Sequence, residues 1–74
     1  MEKNKPIFEK EVEVGRISLE GGNTIVVRAT RINGKDFLDI RLFVTTENYK
    51  GFTTKGVFMP ITMKDELIDI LLKV

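Results

Sequence analysis

The chain has no cysteine, no histidine and no tryptophan among its 74 residues. Without cysteine it can form neither a disulfide nor a thiolate metal site. Without histidine it lacks the commonest general base and metal ligand, and Ser18 has nothing to activate it as a nucleophile. A strong excess of one charge is also missing. Twelve Lys and Arg face eleven Asp and Glu, and a net charge of +1 does not by itself mark a nucleic-acid partner. No Gly-rich phosphate loop precedes a helix, and no acidic cluster has metal-ligand spacing. No enzyme, metal or cofactor is expected. No apolar run approaches a membrane span and no signal peptide is visible, so an intracellular protein is expected, cytoplasmic or nucleoid-associated in a prokaryote, with no membrane partner.

What is present is a hairpin. The run Ile25–Val44, IVVRATRINGKDFLDIRLFV, alternates on both sides of Asn33-Gly34, the strongest short-range hairpin signal. A two-residue turn pairs Ile32 with Lys35. Ala29 then faces Leu38, Val27 faces Ile40 and Ile25 faces Leu42, an apolar face expected to lie inside. The other face pairs Thr30 with Phe37, Arg28 with Asp39, Val26 with Arg41 and Thr24 with Phe43. Cations interleaved with aromatics suit a flat, charged, stackable ligand.

The flanking segments extend this sheet. Residues 1–10 are charged and aperiodic and read as a flexible arm or a short lead-in strand. Val12 and Val14 alternate with Glu11 and Glu13. The apolar phase then slips at Gly15 to Ile17 and Leu19, which suggests a bulge or a break there. A three-residue loop, Gly21-Gly22-Asn23, pairs Leu19 with Ile25 and Ile17 with Val27. It puts Arg16, Arg28 and Asp39 in one row, and Ser18, Val26 and Arg41 in the next. Thr45–Thr54 reads as a loop, or a long hairpin tip, carrying Tyr49, Lys50 and Phe52, and Lys55–Ile61 as a fourth strand that ends or lies at an edge because of Pro60. Thr62 is expected to cap a helix, with Asp65 in a capping-box-like position. On that helix Met63, Leu67, Ile70, Leu71 and Val74 form one face, widened by Ile68 and Leu72.

The fold class is α+β: a four-stranded antiparallel meander followed by one C-terminal helix, ββββα, in a single domain over residues 11–74. A chain this short buries only about 60% of its unfolded surface and has no staple, so a homodimer is expected. The surplus apolar width of the helix is either a dimer contact or a helix sunk into its own sheet.

The charge is unevenly placed. Residues 16–60 carry seven cations against four anions, while each end is net −1. The cation and aromatic candidates for single-stranded nucleic acid are Arg28, Arg41, Phe37, Phe43, Lys35, Lys50 and Lys55, with Tyr49, Phe52 and Phe58 as further aromatics. Arg28 either contacts a phosphate or neutralises Asp39. Phe37 and Phe43 either stack on bases or are covered by the arm or a second subunit. The only expected helix is amphipathic and acidic, which argues against duplex reading.

Three strings in order, Asn33-Gly34-Lys35, Leu38-Asp39-Ile40-Arg41 with Phe43, and Thr54-Lys55-Gly56-Val57, are followed by a helix with Glu66-Leu67-Ile68. Over about residues 14–74 this order resembles the transcriptional coactivator positive cofactor 4 family. The resemblance implies a strongly curved sheet, a homodimer, binding of single-stranded or melted DNA, and a role as a transcription cofactor or regulator working with the transcription machinery. It implies that Lys35, Arg41 and Lys55 contact phosphates and that Phe43 is an aromatic site position. Three features depart from the family. Ile32 stands where a large aromatic is frequent, Val44 stands where some members have tryptophan, and the loop Thr45–Thr54 lacks the usual proline. The alternatives are a protein–protein interaction module of the same fold and an RNA-binding module.

Overall fold

A computed structural model describes residues 8–74. Residues 1–7 of the expected arm lie outside the described residues. Residues 8–10 belong to the first strand. Four strands, β1 (Phe8–Ser18), β2 (Asn23–Ile32), β3 (Lys35–Thr45) and β4 (Lys50–Pro60), form one antiparallel sheet in the order β1-β2-β3-β4. A 3-10 turn, Ile61–Met63, leads into helix α1 (Lys64–Leu71). The architecture is therefore ββββα.

The central hairpin has the register its sequence predicts, from Ile32 opposite Lys35 to Thr24 opposite Phe43. Asn33 (φ 52°) and Gly34 (φ 77°) supply the two left-handed residues that match a tight turn to strand twist. A bulge in β1 sits where the apolar phase slips, because Glu13 pairs with Arg28 and Gly15 with Val27, leaving Val14 without a partner.

The first hairpin differs from expectation. Its turn is Glu20–Gly22, Leu19 N–H donates to Asn23 O at 2.8 Å, and Ile17 pairs with Ile25 rather than Val27. Gly21 and Gly22 carry the turn's two positive φ angles, and the chain is already extended at Asn23. The shift is two residues, so every side chain keeps its expected face while the rows change. Arg16 lies beside Val26 and Arg41, and Glu13 lies beside Arg28 and Asp39.

Two other boundaries move. β4 begins at Lys50, five residues before its expected start, because Thr46 closes a tight turn. Its hydroxyl accepts from Tyr49 N–H at 2.9 Å, and Thr46 N–H donates to Tyr49 O at 2.7 Å. Thr62 does not cap the helix. Pro60 (φ −58°) opens the 3-10 turn, which absorbs Thr62, and Met63 becomes the N-cap with no side-chain bond.

The largest correction concerns the core. The face expected inside is open: Ile17, Leu19 and Val57 are 60%, 45% and 49% exposed. The buried residues, Val26, Thr30 and Asp39, lie on the opposite face, among the arginines and aromatics. Helix α1 does not cover the open face. It contacts mainly the turn before it, and none of its residues is buried. The reading of a helix sunk into its own sheet is therefore overturned.

Candidate functional site

The face that buries Val26, Thr30 and Asp39 also gathers most of the candidate residues. On β3, Lys35, Phe37, Asp39, Arg41 and Phe43 alternate onto it by the two-residue period of a strand. β2 adds Arg28, and β4 adds Phe58 opposite Asp39 and Phe52 opposite Phe43.

Asp39 is the hub. Its Oδ1 accepts from Arg41 Nε at 3.1 Å and Nη2 at 2.9 Å, and its Oδ2 accepts from Arg28 Nη2. Burial pushes the Asp39 carboxyl up, but the hydrogen bonds and charges of Arg41 and Arg28 outweigh it and hold the group below the usual carboxylate range. Arg28 has a second anion, Glu11 Oε2, 3.2 Å from its Nη1, and its guanidinium lies 4.2 Å from the centroid of the Phe52 ring. Arg41 Nη1 also donates to Thr53 O at 3.3 Å. Arg28 is thus engaged by Asp39, as the sequence allowed. Arg41, expected free for phosphate, is engaged as well. With Glu11 included, the cluster is formally neutral.

Free positive charge lies around this cluster. Lys35, Lys50 and Lys55 are exposed. Lys35 and Lys50 sit at opposite ends of the β3 ladder, roughly 33 Å apart along the strand. Lys55 leaves a bulge in which Thr53, Thr54 and Lys55 together oppose Leu42. Thr53 Oγ1 donates to Leu42 O at 2.9 Å and accepts from Lys55 N–H at 3.1 Å, which fixes the bulge. Gly56 closes it so tightly that a Cβ there would stand 2.3 Å from Ile40 O. At the other end, Glu9 Oε1 accepts from Gly34 N–H at 2.8 Å, beside Lys35.

The aromatics form two pairs. Phe37 and Phe58 stack with centroids 4.9 Å apart and planes 15° apart, while Phe43 and Phe52 meet edge-on at 5.0 Å. Within each pair the β4 ring is the open one: Phe58 is 44% and Phe52 37% exposed, whereas Phe37 and Phe43 are half-buried. The cation–aromatic pattern of the central hairpin favours the β3 rings, whereas the β4 rings are the open ones; in the sequence, Phe58 is marked by its alternation with Val57 and Met59. Tyr49 joins neither ring pair; its hydroxyl donates to Phe52 O at 2.5 Å.

No cavity is enclosed among the described residues, so a ligand on this face lies along an open surface. Among the same residues no group of three or more acidic side chains is placed to hold a metal, and no helix is long and apolar enough to cross a membrane. Compared with known proteins, the chain matches no family model, no curated protein and no solved structure.

Proposed function

We propose that the protein is a single-stranded nucleic-acid-binding module, acting on DNA as a homodimer in the manner of a transcription cofactor or regulator. The observation that carries this reading is one sheet face holding exposed aromatic rings, Phe52 and Phe58, between the exposed lysines Lys35 and Lys50 at its two ends. Rings take bases and lysines take phosphates, the two ingredients of single-strand binding without sequence preference. The resemblance of residues 14–74 to the positive cofactor 4 family supports DNA as the ligand and transcription as the setting. The paired state of Arg41 and Arg28 favours Lys35, Lys50 and Lys55 as the first phosphate contacts. The arginines act as a rigid, partly exposed floor.

The bare apolar face supports the homodimer. Ile17, Leu19 and Val57 on the sheet, and the exposed apolar residues of α1, are covered by no other described element. The two functions use opposite faces of the sheet, so dimerisation leaves the rings and lysines accessible.

Fluorescence anisotropy with labelled oligonucleotides at two salt concentrations tests the reading. Saturable binding that weakens with salt is expected, with log K falling by about 0.7 per log unit of salt for each phosphate contact. No binding to any single-stranded oligomer at low salt would refute it, and preference for RNA in competition would move the ligand from DNA to RNA.

A further inference from the structure

We infer that Phe58, backed by Phe37 and flanked by Lys35, forms a subsite for one nucleotide, with the base on the Phe58 ring and its phosphate on the Lys35 ammonium. The inference rests on the proposed single-strand binding and assigns the position where a base is held.

The two open rings are not equivalent. Phe52 already has the Arg28 guanidinium 4.2 Å from its ring centroid and the Phe43 edge against it. Phe58 has one aromatic neighbour among the described residues, the near-parallel Phe37, has no cation over its ring, and is 44% exposed. A base on the open face of Phe58 would extend an existing parallel stack, offset-stacked geometry being favoured between flat π systems. Phe37 fixes the plane of Phe58 beforehand, so little freedom is lost when the base arrives.

Charge is supplied along β3. Lys35 and the backing ring Phe37 occupy the same face of β3, roughly 7 Å apart along the strand, while Phe58 sits opposite Asp39, roughly 13 Å along β3 from Lys35, with its ring 4.9 Å from that of Phe37; one nucleotide and a flexible lysine together span that distance. Asp39, opposite Phe58, adds no repulsion of its own because Arg28 and Arg41 hold its carboxylate. The subsite thus offers a flat apolar platform and a cation with no intervening free anion from Asp39. Ile32, where a large aromatic is frequent in the resembled family, removes a ring at the adjoining turn. The Phe37–Phe58 stack offers one from the neighbouring strands instead.

The chain has no tryptophan, so Phe58→Trp makes a single reporter at this position. In the full chain its emission is expected to be quenched by oligothymidylate with the same midpoint as anisotropy. Phe58→Leu, which keeps an apolar side chain but removes the ring, should weaken oligothymidylate binding about 5- to 150-fold, the worth of one stacked base, with an unchanged salt slope. An abasic sugar-phosphate oligomer of equal length should bind Phe58→Leu and wild type alike. If wild type binds oligothymidylate but Phe58→Leu binds within twofold of it, or the indole emission of Phe58→Trp does not respond, the subsite is wrong while single-strand binding stands. If wild type binds no oligomer, both fall.

Discussion

Asp39 Oδ1 accepts hydrogen bonds from both Nε and Nη2 of Arg41, at 3.1 and 2.9 Å, while the same carboxylate holds Arg28 through Oδ2. One buried anion thereby fixes two cations from neighbouring strands and sets the floor of the candidate site. Asp39→Asn leaves two arginines partly buried with a weaker acceptor, and should cost about 3 kcal/mol at neutral pH, the low end for breaking a buried pair. The folded-state pKa of Asp39 lies below its ordinary value of 3.8. Its contribution is therefore complete above the carboxylate range and is lost as pH falls below about 4 toward the folded value. Urea midpoints of wild type and Asp39→Asn should differ at pH 7 and draw together as pH falls below about 4.

Glu11 competes with any phosphate for Arg28, since its Oε2 stands 3.2 Å from Arg28 Nη1 and it is itself exposed. Glu11→Gln removes that competitor from the edge strand without touching the Asp39 bonds. Affinity for oligothymidylate should rise about 3- to 10-fold at low salt, on the scale of a charge-assisted contact, with little change in stability. Anisotropy and a urea curve check both halves; an unchanged affinity would show that Arg28 takes no part.

Lys35→Ala with Lys55→Ala removes two exposed cations that the structure leaves free of acidic partners among the described residues. Binding should weaken alike for all sequences, and the salt slope should become shallower by about 1.4. An unchanged slope would place the phosphate track elsewhere.

Val57 lies on the bare face, paired with Ile40 and 49% exposed. Sedimentation of wild type at micromolar concentration should show twice the 8.5 kDa of one chain. Val57→Glu should shift it to the monomer by placing an unpaired charge in the proposed interface. An 8.5 kDa wild type would leave the apolar face without its proposed partner.

Gly56→Ala drives a Cβ to 2.3 Å from Ile40 O and 2.8 Å from Arg41 Cα, both backbone atoms that cannot swing aside. The bulge that carries Lys55 must then open. A loss of about 2–3 kcal/mol in urea denaturation is expected, with weaker oligonucleotide binding.

Periodicity and turn chemistry alone determined the element order, the register of the central hairpin and the faces of β2, β3 and the second half of β4, whereas residues 50–54 read as loop and join β4 only in the structure. These are local consequences: strand side chains alternate every second residue, and Asn-Gly admits one kind of tight turn. The first turn shifted its register by two residues without disturbing any face, because the alternation has that same period. What the strand pattern could not decide was which face would be buried. An apolar face reads as interior only if something covers it, and α1 packs on its own lead-in turn instead. Nor could alternation show that one aspartate would hold both arginines, or that the β4 rings would lie open over those of β3. Those outcomes depend on how far side chains reach across three strands, which only the tertiary structure decides.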